Sequence, residues 1–188
     1  MDPPFHMSVN LSARQISRPE IVDEVRGILE ETGLDPSTLV LEITESMVMQ
    51  DMEFAIERLR ALKELGVLLA IDDFGTGYSS LSYLHRFPVD ILKIDRSFVE
   101  RLGKSADDSE LVATIVRLGQ SLRMAMVAEG VENRDQLQVL QQLGCELAQG
   151  FLFSRPVPVD AVGDLLRPGR ITVAAGDQPA QAKTEEAA

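Results

Sequence analysis

The chain carries a single cysteine, no tryptophan and only two histidines in 188 residues. One thiol, Cys145, rules out an intramolecular disulfide framework and fits a reducing compartment. It reads as a small apolar residue packed beside a strand, the usual place of a free cysteine. Also missing is any uninterrupted apolar stretch of the roughly 18 residues needed to span a membrane. The opening MDPPFHMSVN has neither the basic start nor the apolar core of a signal peptide. A cytoplasmic setting is the expectation. Positive charge is scarce too, with 18 Lys and Arg against 30 Asp and Glu and a net charge of −12. That balance argues against a partner that is a nucleic-acid polymer, which a basic surface would coat. A small anionic ligand stays compatible with it if metal ions sit between ligand and carboxylates.

What is present is ordinary in bulk and unusual in pattern. An apolar content of 45% and a length of 188 residues suit one well-buried domain rather than two. Six short apolar runs each end on a polar group able to bind a metal or a proton. They are VNLS with Asn10, LVLEITE with Glu42 and Glu45, LLAIDDFGTG with Asp72 and Asp73, DILKID with Lys93 and Asp95, MAMVAEGVE with Glu129 and Glu132, and ELAQGFLF with Gln149. A buried strand that stops on a carboxylate is costly unless that carboxylate is exposed or paired. Six in series point to one shared polar site at one end of one sheet.

Amphipathic helical patterns separate the runs. Residues 19–32 place Ile21, Val22, Val25, Ile28 and Leu29 on one face, and Gly33 stops the pattern. Residues 52–65 and 108–123 repeat it, and Asn133 can cap a fourth helix running to Leu143. Strand and helix in alternation imply parallel strands with crossover helices. Because nearly every strand contributes a polar end, a barrel is favoured over an open sheet, whose ligands gather at one switch point. Only six units are found, whereas a closed barrel of this kind has eight strands and a length of roughly 250 residues. The expectation is therefore an incomplete (β/α)8 barrel over residues 1–170, its missing material N-terminal, and a disordered tail over 171–188, where apolar periodicity is lost.

Asp72 and Asp73 follow a fully apolar LLAI, and adjacent carboxylates in such a place are eased by divalent cations. Hard ions such as Mg²⁺ or Mn²⁺ take oxygen ligands, and Asn10, Glu42, Asp72, Asp73 and Glu129 supply enough to share two. Lys93 and Asp95 alternate along one strand, so both point to one face. Lysine there either orients an attacking water or forms an internal salt bridge. Glu45 and Glu132 each stand three residues beyond another candidate, where capping the next helix is the commoner role.

VNLSARQI, LVLEITES, IDDFGTGYSSLSYL, LKIDRSFV, VAEGVE and QGFLFSRPV, in that order, resemble the EAL-domain phosphodiesterases that degrade the bacterial second messenger cyclic di-GMP. The likeness runs from about Val9 to Val157. It implies a (β/α)8 barrel with one antiparallel strand and metal-dependent hydrolysis of cyclic di-GMP to linear pGpG. It further implies Asn10, Glu42, Asp72, Asp73 and Glu129 as ligands of Mg²⁺ or Mn²⁺, with Glu129 also near the water. Lys93 and Asp95 would organise the nucleophile, Gln149 would share the site, and Glu45 would hold the DDFGTG loop. That loop and the helix after it resemble a segment through which such domains form homodimers. The Glu-Ala-Leu tripeptide itself, which would supply a further ligand from an upstream strand, does not occur in the chain. The resemblance thus implies an N-terminally truncated domain with impaired turnover, and leaves open whether the chain is an enzyme. The alternative is a non-catalytic module that binds cyclic di-GMP or a protein.

Overall fold

Parallel strands organise the molecule. In the computed structural model, which describes residues 5–50, 52–75 and 84–166, six of them form one curled sheet. They are β1 (Met7–Asn10), β2 (Leu39–Thr44), β3 (Leu68–Phe74), β4 (Ile91–Ile94), β5 (Ala125–Ala128) and β6 (Leu147–Ala148). The sheet order follows the chain order, and all five pairings are parallel. A doubly wound sheet would reverse order at a switch point, so this is the winding of a barrel wall, here a half-barrel. None of the six is the antiparallel strand implied for a whole barrel of the family.

Helices fill the intervals. These are α1 (Ala13–Ile16), α2 (Ile21–Thr32), α3 (Glu45–Gln50), α4 (Met52–Glu64), α5 (Arg96–Val99), α6 (Ala106–Ser121), α7 (Arg134–Gln142) and α8 (Val159–Leu166). The four long helical patterns in the sequence correspond to α2, α4, α6 and α7 within two residues at each end. The short helices have too few turns to show a period of 3.6 residues. Asn133 caps α7, its side chain accepting from the Gln136 N–H.

The period of two along each strand divides its side chains between two faces. Leu41 and Ile43, Leu69 and Ile71, and Leu92 and Ile94 belong to the apolar core shared with the helices. Leu59 and Leu62 of α4 and Val112 and Val116 of α6 are fully enclosed there. The alternate positions, among them Glu42, Asp72 and Lys93, fall on the opposite face. Polar groups thus occupy the inside of the curl while the outside binds the helices.

The apolar face expected on α2 is only partly covered. Ile21, Val22, Val25 and Leu29 are buried, but Ile28 is 58% exposed. It lines a groove of about 680 Å³ with Met7 and Val9 of β1, whose four residues are all exposed. The apolar stripe of α2 is wider than its contact with the described sheet. No helix among the described residues is long and apolar enough to cross a membrane. The expected tail over 171–188 lies outside the described residues, as do residues 76–83, half of the expected dimerisation segment.

Candidate active site

Register brings the polar strand ends together. Asn10 pairs with Glu42, Thr44 with Asp72, Phe74 with Ile94, and Ile94 with Ala128, directly before Glu129. Between Ile71 and Phe74 the register shifts, and Asp73 takes a positive φ of 55°. A non-glycine residue in that region carries backbone strain, which persists only where its surroundings enforce it. Here the irregularity presents two consecutive carboxylates at the strand end, with the Asp73 N–H donating to Asp72 Oδ1 at 3.1 Å.

Lys93 is the centre of the arrangement. It is 5% exposed, and its Nζ lies 2.6 Å from Glu129 Oε1, 2.7 Å from Glu42 Oε2 and 3.0 Å from Asp72 Oδ1. Burial works to lower the lysine pKa, but hydrogen bonds to Glu129, Glu42 and Asp72 outweigh it and hold the ammonium charged. Of the two readings open from sequence, the internal salt bridge is the one present, and it is threefold. Gln149 Nε2 donates to the same Glu129 oxygen at 2.6 Å. Burial raises the Glu129 carboxyl above the ordinary range, against the pull of Lys93. Asp73 is raised as well, by burial and then by the charges of Asp72 and Asp95.

Oxygens of Asp72, Asp73 and Glu129 lie within 4.8 Å of one another. An all-oxygen set at that spacing suits a hard divalent cation. Glu42 adjoins it through Lys93. Asn10 stands beside Glu42 in register, on the exposed edge strand.

Two placements differ from the sequence reading. β4 ends at Ile94, so Asp95 is not a strand residue alternating with Lys93. It caps α5, accepting from the Ser97 N–H at 3.0 Å, as a short carboxylate before a helix favours. Glu132 does not cap α7, because Asn133 does; its carboxylate pairs with Arg96 at 2.8 Å instead. Glu45 begins α3 and is buried, and its Oε2 accepts from the Gly75 N–H at 3.1 Å, which ties α3 to the loop after β3.

Beside this cluster opens a cavity of about 500 Å³, lined by Glu129, Gln149, Arg96, Phe151 and Arg155 among others. The Arg155 guanidinium stacks 4.6 Å from the Phe151 ring centroid. Arg96 and Arg155 were not singled out by the sequence pattern, since neither ends an apolar run. Their signal is proximity to residues that do.

A parallel α/β half-barrel with clustered carboxylates at the C-terminal ends of its strands has its polar groups where barrel enzymes of this class carry their active sites. The family model of the EAL domain matches residues 1–156, and the chain belongs to that family. It is 48% identical over 170 residues to the cyclic di-GMP phosphodiesterase NbdA of Pseudomonas aeruginosa, covering 90% of this chain and 22% of NbdA. Among solved structures it is similar to the PaMucR phosphodiesterase in complex with c-di-GMP, with a TM-score of 0.80 and 47% identity over 84% of this chain and 64% of that one. It also resembles Klebsiella pneumoniae BlrP1 in a manganese and cyclic di-GMP complex, with a TM-score of 0.75 and 39% identity over 80% of this chain and 39% of that one. The chain spans less than a quarter of the length of NbdA and of MucR, its relatives in P. aeruginosa.

Proposed function

We propose that this chain is the catalytic module of a metal-dependent phosphodiesterase that hydrolyses cyclic di-GMP to linear pGpG. The observation that carries the reading is the carboxylate cluster of Asp72, Asp73 and Glu129, joined to Glu42 through the buried Lys93. Its relatives' names and complexes supply the substrate.

Asn10, Glu42, Asp72, Asp73 and Glu129 are the oxygen donors that would hold Mg²⁺ or Mn²⁺. A metal held by these residues would supply Lewis-acid chemistry, lowering the pKa of a water and offsetting charge on the phosphodiester oxygens. Forming linear pGpG means that water adds to one phosphorus and the P–O3′ bond breaks, with a proton ending on the 3′ oxygen. Glu129, its carboxyl raised by burial, is suited to take a proton from the attacking water. Lys93 orients Glu129, Glu42 and Asp72 and offers positive charge where negative charge grows on the phosphoryl group. Asp95 lies against Asp73 and helps to place the nucleophile, Gln149 fixes the rotamer of Glu129, and Glu45 holds the loop after β3 through Gly75. The cavity lined by Phe151 and Arg155 adjoins Glu129 and is the place for a guanine base. Homodimerisation through the DDFGTG loop and a cytoplasmic setting belong to the same reading.

The test is turnover of cyclic di-GMP by the purified chain with Mn²⁺, following pGpG by chromatography. Slow, metal-dependent release that disappears in Glu42→Ala is expected. Tight binding of cyclic di-GMP with no release at any metal concentration would favour the non-catalytic alternative.

A further inference from the structure

The loop after β5 carries Glu129 into the site, and its fastening involves a residue remote from the chemistry. Gln136, third in α7, is 7% exposed. Its Oε1 accepts from the Glu132 N–H at 2.9 Å and from the Asn133 N–H at 3.2 Å. Its Nε2 donates to the carbonyl of Val99 at 3.2 Å, a buried bond spanning 37 residues. The first bonds, with the Gln136 N–H donating back to Asn133 Oδ1 at 3.0 Å, are a capping box. Glutamate serves a capping box equally well. Only an amide can cap and also donate to Val99, so the residue type exceeds what the helix end requires.

Val99 closes α5, the helix that begins straight after the strand bearing Lys93. A second tie runs between the same two segments. The stem of Arg96 covers Gly130, where a Cβ would stand 2.4 Å from Arg96 Cγ. Its guanidinium pairs with Glu132 at 2.8 Å and with Glu100 at 2.5 Å. Within the loop, the Glu129 N–H donates to the Ile94 carbonyl and the Val131 N–H to the Gln149 carbonyl. Five residues are thus held on both sides by neighbouring strand ends.

We propose that Gln136 is a positioning residue of this site. It fastens the loop carrying Glu129 to the α5 segment that follows Lys93, so that the Lys93–Glu129 pair keeps one geometry. This role of Gln136 rests on the metal-dependent reading only where metal uptake is concerned.

Residue-level amide hydrogen exchange on the full chain tests it, comparing Gln136→Glu with Asn133→Ala. The first variant keeps the Oε1 cap and loses the bond to Val99; the second loses the reciprocal cap and keeps that bond. Gln136→Glu should speed exchange at the Glu129 and Val131 amides by about fivefold or more, as loss of a cooperative tie does. Asn133→Ala should affect only the first turn of α7. Mn²⁺ affinity should fall about tenfold in Gln136→Glu, the scale at which residues supporting metal ligands act, and stay unchanged in Asn133→Ala. Exchange confined to Glu132 and Asn133, or the same pattern in both variants, would reduce Gln136 to a helix cap and overturn the proposal. Should Gln136→Glu not fold, Gln136→Ala, which loses the Oε1 cap and the Val99 bond together, is read against Asn133→Ala. Faster exchange at the Glu129 and Val131 amides in Gln136→Ala alone is expected, and exchange confined to Glu132, Asn133 and the first turn of α7 would overturn the proposal. A wild-type chain that takes up no Mn²⁺ would instead sink the metal-dependent reading, and the exchange comparison would still decide the clamp.

Discussion

Lys93 shows how one side chain can hold a site together before any substrate arrives. Glu42, Asp72 and Glu129 all approach its ammonium within 3.0 Å, in a place almost closed to water. Removing one partner from a buried charge group is far more costly than the pair's net worth, because the remaining charges stay buried and unpaired. Lys93→Met should therefore lose about 3–5 kcal/mol of stability, read by urea unfolding in EDTA at pH 8. The loss should shrink as pH falls, since the Glu129 carboxyl, raised by burial, takes up a proton first and removes one of the charges left facing each other. A change below about 1 kcal/mol, the range of an exposed pair, would mean that Lys93 does not balance their charge. At this scale the sequence is informative about Asp72, Asp73, Lys93 and Glu129, because each terminates an apolar run and so needs a partner. Asp95 and Glu132 are less legible. Their partners, Ser97 and Arg96, are set by where β4 and β5 stop, which no local pattern reports.

At the scale of elements, the contacts between strand-end loops decide whether these residues meet. Gly75, just after β3, has a φ of +98°, and a Cβ there would stand 2.7 Å from the Phe98 ring of α5. Gly33, after α2, also has a positive φ but has nothing within 4 Å of its Cβ position. Comparing Ala at the two positions separates backbone strain from crowding. Gly33→Ala should cost about 1 kcal/mol. Gly75→Ala should cost that strain and a further 1–3 kcal/mol or so for displacing Phe98, the scale of overpacking in a core. Equal losses in thermal unfolding of the two variants would show that Phe98 yields freely. The long helices and the strands were legible because burial imposes a period on each. The short α3 and α5, which join Glu45 and Asp95 to their loops, impose none. Asn133 and Gln136 did carry a readable capping-box spacing, whereas the bond to Val99 depends on how two βα units pack.

On the whole molecule, the inside of the curl and its β1 edge are two places among the described residues where burial is incomplete. The edge is the apolar one. Met7 is 63% exposed, Val9 42% and Ile28 58%, and together they border a groove continuous with the core residues Leu29 and Leu41. A contiguous apolar surface of this kind leaves apolar side chains open to solvent and to any apolar probe. The sequence groups Ile28 on one face with Ile21, Val22, Val25 and Leu29, and an amphipathic stripe does not reveal how wide its partner is. The fluorescent dye ANS, which binds exposed apolar surface, should be enhanced by the native 188-residue chain below its unfolding transition. Ile28→Glu places a charge in the middle of the groove at an already solvated position, so it should remove most of that enhancement. It should also leave the melting temperature within about 2 °C of wild type, the shift expected for a surface change of up to 0.5 kcal/mol in a chain of this size. Unchanged ANS fluorescence in Ile28→Glu would place the apolar surface elsewhere. A large fall in melting temperature would mean instead that Ile28 packs against chain in solution, with the α2 stripe fully covered.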